Sequence, residues 1–261
     1  MSEKSGEKPR ETRSVTGRAL AVLDTFDAKH RRQSLAAIAR RAGMPLTTAH
    51  RLVHDLEKHE ALIRRTDGDY EIGSKIWQWG ILASVHADLR EVALPYMEDV
   101  YQVDNDAVQI AVLDGFRCLI VERIAGLRTL ATMSKPGSRL PLHATGVGKV
   151  LLAYGGQELQ DAVLNSLDRF TDKTITDVET LRKQLATIQQ QGFAATSEEL
   201  AEGATSLAVP VRGNGGRVVA ALGLISPSSK SELQRMLPAL QVTAAALSKK
   251  LIESGLGDAD K

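Results

Sequence analysis

The apolar positions of the N-terminal third recur at helical spacing in three short segments, which predict three helices. Gly43 separates the second segment from the third, and Pro45 suits the first turn of the third helix because its missing N–H would be unpaired there. The last two helices are therefore expected to be joined by a tight turn. The apolar stripes are Ala19, Leu20, Val22, Leu23 and Phe26, then Leu35, Ile38, Ala39 and Ala42, then Ala49, Leu52, Val53 and Leu56.

The polar face of this helix pair carries short hydrogen-bonding side chains and arginines. Such groups suit contacts to phosphates and to base edges in a major groove, so the pair is interpreted as a helix-turn-helix. A small helical hairpin with a solvated polar face is the alternative interpretation. Ser34 is also the candidate N-cap of the second helix. The residues expected to bind DNA are Ser34, Arg41, Thr47, Thr48, His50 and Arg51.

Two short alternating segments follow over residues 62–72, with a glycine between two aspartates at their centre. This pattern predicts a hairpin, and a basic hairpin after a recognition helix is a wing. Arg64 and Arg65 are expected to reach the phosphate backbone or the adjacent minor groove.

The next segment, residues 75–94, is apolar on more than one stripe and includes Trp77 and Trp79. A helix that only bridged two domains through water would not need so much apolar surface. We therefore predict a linker helix that packs against a second subunit, and the alternative is that both tryptophans pack onto their own domains. A further helix is expected to begin at Pro95.

The remaining chain mixes strand and helix signals and predicts an α+β domain. Strands alternate on both sides of Asp114-Gly115, and two more flank an Asn214-Gly215 turn, over 206–211 and 218–225. Residues 192–205 are expected to form a loop. Helices are expected from Gly146 to Gly155, from a Thr176–Glu179 capping box to Gly192, and from Ser229 to Leu251.

Several short patterns in the sequence are candidates for chemical sites. The run GVGK lacks the pattern of a phosphate-binding loop, because His143 and Val150 stand where that motif needs Gly and Ser or Thr. A helix beginning at Gly146 would still offer free N–H groups to a carboxylate, although a plain packed helix start is the alternative. Cys118 and the pair Glu198 and Glu199 are interpreted as structural. His50 and His54 lack a third metal ligand at useful spacing, so no metal is expected.

The composition fits two soluble domains in 261 residues, with 43% hydrophobic and 25% charged residues. No apolar run is long enough for a transmembrane helix, and residues 1–13 are charged, like a disordered arm rather than a signal peptide. A single cysteine agrees with a reducing compartment, so a cytoplasmic location is expected. Residues 1–75 hold 15 basic and 11 acidic side chains, and the rest holds 18 and 21. The basic excess thus lies in the predicted DNA-binding part.

Two runs resemble signatures of the IclR family of bacterial transcriptional regulators: LAAIARRAGMPLTTAHRLVHDL and, later, PLHATGVGKVLLA. The resemblance implies a winged helix-turn-helix over 14–74, a linker and dimerisation helix over 75–92, and an effector-binding domain over 93–254. That domain would be GAF-like, with an antiparallel sheet flanked by helices. Residues 1–13 and 255–261 would be an arm and a tail.

The resemblance also implies an effector pocket. Gly146 and Val147 would offer backbone N–H groups to a carboxylate, and hydroxyl positions of the family are replaced by Gly223 and Ile225, so a bulkier or aromatic acid is expected. Met133 would be an apolar wall and His143 would orient the pocket loop. The implied effector-binding residues are Met133, His143, Gly146, Val147, Thr196, Ser206, Gly223 and Ile225.

The expected function is that of a ligand-responsive transcriptional regulator, a repressor of a catabolic operon that a small carboxylic acid releases or resets. Its partners would be double-stranded operator DNA, the acid, and further copies of the chain in a dimer or a dimer of dimers. No cofactor, metal or membrane is expected. The alternatives are an enzyme that acts on a small acid and a purely architectural DNA binder.

Overall fold

The computed structural model describes residues 14–27, 29–80, 86–104, 106–126, 134–227 and 229–258. They fall into two compact units, one over residues 14–80 and the other over residues 86–258. Among these residues, no helix is both long enough and apolar enough to cross a membrane.

The first unit contains four helices and a two-stranded hairpin. Its core lies between the first three helices and the hairpin, where Ile38, Leu52 and Leu62 are almost fully buried. The predicted wing is confirmed, since its two strands pair antiparallel, and Gln33 extends the pairing by a bridge to Tyr70. The elements are α1 (Val15–Leu23), α2 (Leu35–Arg41), α3 (Leu46–Lys58), β1 (Leu62–Arg64), β2 (Tyr70–Ile72) and α4 (Ser74–Gly80).

The tight turn between α2 and α3 is confirmed, and its local causes are visible. Ser34 caps α2, because its Oγ accepts the Ala37 N–H at 3.3 Å. Gly43 has a φ of 63°, a left-handed conformation that favours glycine. Pro45 lies directly before α3, one position earlier than the sequence suggested, where its fixed φ costs nothing.

The second unit is a six-stranded antiparallel sheet with helices on both faces. The elements are α5 (Ala87–Asp104), β3 (Ala107–Asp114), β4 (Arg117–Ile124), β5 (Arg139–Pro141), α6 (Gly146–Tyr154), α7 (Gln157–Leu164), α8 (Val178–Gln191), β6 (Ala194–Ser197), β7 (Thr205–Arg212), β8 (Val218–Ser226), α9 (Lys230–Leu233) and α10 (Leu237–Glu253). Short 3₁₀ turns lie at Asn214–Gly216 and Gln234–Met236. The strand order is β5-β4-β3-β8-β7-β6.

Each face of this sheet has its own core, because successive side chains of a strand point to opposite sides. On one face, Ala111, Ile120 and Ala208 pack against α6, α7 and α8. On the other, Val108 and Ile110 pack against α5 and α10. The α+β class is thereby confirmed, as is the hairpin at Asp114-Gly115.

The helical predictions around Pro95 are wrong in their boundaries. The helix predicted over residues 75–94 is not one helix in the described residues, since α4 ends at Gly80 and α5 begins at Ala87 after His86, whose φ is 133°. Pro95 does not begin a helix but lies inside α5. Its ring is on the exposed side, where water can hydrogen-bond the carbonyl that lacks a donor.

Five further differences concern a helix cap, two edge strands, one helix and the last helix boundary. The N-cap of α8 is Asp177, which accepts the Thr180 N–H at 2.8 Å, and not Thr176. The predicted loop over 192–205 contains the edge strand β6, and the opposite edge strand β5 and the helix α7 had no clear sequence signal. The final helix is divided, because Pro238 is best accommodated in the first turn of a helix and α10 begins beside it. The capping of α9 by Ser229 and Glu232 is confirmed.

Candidate functional site

The first candidate site is the exposed start of α3. Ala49, Leu52 and Val53 anchor the inner face, which leaves the side chains of Thr47, His50 and Arg51 in solvent and Thr48 half-buried. The first turn holds no acidic residue. The positive end of the helix dipole is therefore unopposed, which suits a phosphate oxygen beside these polar side chains.

The wing presents its two arginines beside aromatic and acidic neighbours. The Arg64 guanidinium lies 5.8 Å from the centre of the Tyr70 ring. Arg65 Nη1 donates to Glu71 Oε1 at 3.1 Å, and Arg32 Nε is 3.4 Å from the other oxygen of the same carboxylate. Both wing arginines remain exposed. Their intramolecular contacts orient them without removing them from solvent, where pairs of this kind are weak.

Two other residues expected to bind DNA have structural roles in this unit. The Ser34 hydroxyl caps α2. Arg41 Nε donates to the Thr25 carbonyl at 3.1 Å, and its Nη2 lies 2.7 Å from Asp27 Oδ2. Asp27 also accepts a hydrogen bond from His30, which lowers the pKa of the Asp27 carboxyl to about 2. A phosphate at Arg41 would compete with the Asp27 carboxylate for the guanidinium.

The histidines of α3 form no metal site in the described residues. The rings of His50 and His54 stack with their centres 6.4 Å apart. Within the described ranges, no group of three His, Cys, Asp or Glu side chains is close enough to hold a metal ion.

The second candidate site is built on the start of α6. Thr145 Oγ1 caps the helix by accepting the Gly148 N–H at 3.1 Å, and Gly146 N–H donates to Ser206 Oγ at 3.2 Å. A Cβ at position 146 would lie 2.6 Å from Ser206 Oγ, so a side chain there would force the Ser206 hydroxyl to move. The second amide of the helix, that of Val147, has no intrahelical acceptor in such a geometry.

A cavity lies in front of this helix start. Its empty space is about 450 Å³, and part of that space is open solvent. Much of the wall is apolar. The lining residues are Gln109, Ser134, Leu140, Ala144, Thr145, Gly146, Thr196, Leu200, Ala201, Ala204, Ser206 and Ile225.

Two hydroxyls join the helix start at the cavity wall. Thr196 Oγ1 lies 2.6 Å from Ser206 Oγ, on neighbouring strands that place the two residues opposite each other. Because hydroxyls donate and accept, this pair can turn its protons towards a bound carboxylate. Together with the start of α6 at Gly146, which also lines the cavity, this pair forms a set of uncharged groups suited to an anion.

Not every predicted effector residue lines this cavity. Among the described residues, four do: Gly146, Thr196, Ser206 and Ile225. Gly223 lies under α6, where a Cβ would be 2.8 Å from Val147 Cγ1, so this glycine lets the helix approach β8. Met133 lies outside the described residues.

His143 lies in the loop before α6. Its Nε2 is 2.9 Å from the Asp168 carbonyl oxygen, and its ring is 5.8 Å from that of Phe170. Burial lowers the pKa of His143, so the imidazole is held in its neutral form. These contacts fix the loop that leads to Thr145 and α6.

Two polar features of the second unit were not predicted from the sequence. Gln109 lines the cavity from β3, and the signal that would have found it is one polar residue within the apolar run AVQIAV. Lys149 of α6 is fully buried, with its Nζ 2.5 Å from Glu199 Oε2 and 2.6 Å from Gln184 Oε1. This ion pair ties α6 to residues 198–204, three of which line the cavity.

The structural interpretation of Glu198 and Glu199 fits their contacts. They lie just after β6 and not within a strand, and Glu198 has a φ of 56°. Glu198 pairs with the exposed Lys173 at 2.7 Å, whereas Glu199 pairs with the buried Lys149.

Comparison with known proteins decides the family. The model of the IclR helix-turn-helix domain matches residues 15–65, and that of the bacterial transcriptional regulator IclR C-terminal domain matches residues 82–249. The chain belongs to the IclR family. It is 32% identical to the HTH-type transcriptional regulator XynR of Escherichia coli strain K12, over 90% of this chain and 95% of that protein.

Other IclR relatives span the chain equally well. The Pca operon regulatory protein of Acinetobacter baylyi is 32% identical over 88% of this chain and 86% of its own. An IclR homologue from Microbacterium hydrocarbonoxydans, solved with 4-hydroxybenzoate, is 34% identical with a TM-score of 0.81, covering 91% of this chain and 99% of that one. These relatives identify the protein as a DNA-binding transcriptional regulator with an effector-binding domain, and not as an enzyme.

Proposed function

We propose that this IclR regulator is a repressor whose affinity for its operator is changed by a small carboxylic acid bound in the cavity at the start of α6. The observation that carries the proposal is the start of α6 at the cavity wall, where Gly146 lies beside the hydroxyls of Ser206 and Thr196. The amide of Val147, the next residue of the same helical turn, would complete the donor set. A helix start supplemented by hydroxyls is suited to a carboxylate.

The apolar part of the wall favours an acid with a sizeable hydrocarbon part, such as an aromatic acid. Leu140, Leu200 and Ile225 contribute branched side chains, and Ala144, Ala201 and Ala204 contribute methyl groups. A two- or three-carbon oxo-acid would leave much of this apolar surface exposed to water. The relative solved with 4-hydroxybenzoate supports the same class.

We further propose that the first unit reads operator DNA through α3 and the wing. Thr47, Thr48, His50 and Arg51 would contact the major groove. Arg64 and Arg65 would contact phosphates or the minor groove, and Arg41 and Ser34 would add contacts at the backbone. The exposed polar start of α3 supports this assignment.

The chain would act as a dimer, and two dimers would associate. Trp77 and Trp79 of α4 expose 69% and 53% of their surface, an apolar area typical of a contact with a second copy. A two-fold dimer would place two α3 helices about 34–36 Å apart, one turn of DNA. The proposed boundaries remain 14–74 for the DNA-binding domain, 75–92 for the linker and 93–254 for the effector domain, in a cytoplasmic protein.

The test is a titration of labelled DNA from upstream of the protein's own gene, at fixed salt, with and without a panel of aliphatic and aromatic acids. We expect one acid to weaken DNA binding several-fold. Arg51→Ala should abolish tight DNA binding and leave acid binding intact, whereas Thr196→Val should do the reverse. Lys58→Ala, at the far end of α3, is the matched control for Arg51. The proposal is wrong if the chain prefers its operator to a scrambled duplex but no acid alters the affinity.

A further inference from the structure

We infer that Gln109 selects the effector, by hydrogen-bonding a hydroxyl group that the acid carries apart from its carboxylate. The inference rests on the proposed function and narrows its ligand to hydroxy-substituted carboxylic acids.

The first observation is an unpaired polar atom in the cavity wall. Gln109 is 2% exposed, and its Oε1 has no hydrogen-bond partner in the described part of the chain. Of the described residues that line the cavity, it is the one with such an atom. Buried amides are nearly always hydrogen-bonded, so an unpaired one on a residue that lines a cavity indicates a missing partner.

The second observation concerns the neighbours of Gln109. Opposite it are Gly223 on β8, which has no side chain to offer, and Arg123 on β4, which is not among the described residues that line the cavity. Thr196 and Ser206, which do line the cavity, hydrogen-bond each other. The amide of Gln109 is therefore a second polar group at the cavity, apart from this hydroxyl pair.

The third observation is the separation between Gln109 and the carboxylate donors. Ser206 is on β7 and Gln109 is on β3, with β8 between them, so their backbones are two strand spacings apart, about 10 Å. A ligand that uses both must carry its second polar group well away from its carboxylate. A ring with a hydroxyl opposite the acid meets this requirement.

The chemistry of the amide specifies the second group. A neutral amide offers one acceptor oxygen and two N–H donors, and it carries no charge to attract a second anion. A hydroxyl matches it in either orientation, because a hydroxyl can donate to Oε1 or accept from Nε2. Acids without such a group leave Oε1 unpaired and lose the hydrogen bond.

The test compares matched acids by calorimetry: benzoate with 4-hydroxybenzoate, and phenylacetate with 4-hydroxyphenylacetate. In the pair of acids that binds more tightly, the wild-type chain should bind the hydroxylated acid about 10-fold more tightly than the acid without the hydroxyl. Gln109→Leu, which keeps the size of the side chain, should bind both acids of that pair equally and keep its affinity for the one without a hydroxyl. Gln190→Leu makes the same change on the exposed face of α8 and should retain the preference.

The outcomes separate the two proposals. The role of Gln109 is overturned if Gln109→Leu still prefers the hydroxylated acid, or if the wild-type chain shows no such preference. The effector proposal stands in both cases. If both Gln109→Leu and Gln109→Met fail to bind either acid, Gln109 has a general structural role, and its role in selecting the effector is overturned as well. If no acid binds the wild-type chain, the proposed function fails, and the role of Gln109 fails with it.

Discussion

Replacing Lys149 by methionine should strongly destabilise the second unit. The Lys149 side chain is 0% exposed and that of Glu199 is 6% exposed, so the substitution leaves a carboxylate buried without its cation. Gln184 loses a donor to its Oε1 at the same time. Breaking one partner of a buried ion pair costs about 3–5 kcal/mol, a large fraction of the roughly 5–15 kcal/mol that stabilises a domain.

A double variant that lacks both charges should behave in the opposite way. Lys149→Met combined with Glu199→Leu removes both charges, and apolar replacement of a whole buried pair is often close to neutral. The double variant should therefore recover most of the lost free energy of unfolding. Since Leu200, Ala201 and Ala204 line the cavity, the single variant should also bind the acid more weakly than the double variant does.

Urea unfolding followed by far-UV circular dichroism measures these effects. Tryptophan fluorescence is unsuitable, because Trp77 and Trp79 both lie in α4 of the first unit. Lys183→Met is the control, since it breaks an exposed pair with Glu179 on α8 and should change little. The reasoning is refuted if Lys149→Met unfolds like the wild-type chain, or if the double variant is no more stable than the single one.

Three further predictions follow. Arg51→Ala should weaken operator binding by about 1–3 kcal/mol and reduce sequence discrimination, as measured by titration on specific and scrambled DNA. Gly223→Ala should destabilise the second unit by about 1–3 kcal/mol, because the new Cβ would lie 2.8 Å from Val147 Cγ1, and Val147→Ala should restore part of the loss in urea unfolding. Burial lowers the pKa of His143, so the unfolded chain takes up a proton more readily than the folded chain does. The free energy of unfolding should therefore fall as the pH decreases through about 6.5, and it should fall less steeply in His143→Gln.

Two of these predictions have a matched control variant. Lys58→Ala changes a charge of α3 away from its start, and equal losses at both positions would contradict a reading role for Arg51. Gly80→Ala adds a Cβ that meets nothing within 4 Å, so it should leave stability nearly unchanged. An unfolding profile whose pH dependence is the same with and without His143 would contradict the protonation argument.

Local signals predicted the elements whose causes are local. Asp114-Gly115 lies at the tip of the β3–β4 hairpin, because the glycine adopts a φ of 57°. Ser34 and Gly43 bound α2 as expected, and Gly192 stops α8 with a φ of 77°. In each case one residue type meets a backbone requirement that few others can meet.

Elements that depend on distant partners were missed. The strand β6 exists because β7 offers a free edge to residues 194–197, and β5 pairs in the same way with β4. Pro95 stays inside α5 because the buried Ala93 and Met97 hold the helix on the sheet. Tertiary packing overrides a local preference in each case.

The cavity was predictable only in part. The sequence indicated the start of α6, and the family resemblance supplied Thr196, Ser206 and Ile225. Nothing in the sequence showed that Lys149 would lie buried beside Glu199, 50 positions later, or that the Gln109 amide would be left without a partner. Such pairings depend on the register of strands from distant parts of the chain.

The central claim is that acid binding and DNA binding are coupled in one chain, and thermodynamic reciprocity tests it most directly. The affinity of the operator is measured with and without saturating acid, and the affinity of the acid with and without saturating operator. Since coupling is reciprocal, the two ratios must agree, and we expect both to differ from one by several-fold. Two ratios equal to one, with both ligands bound, would contradict the account.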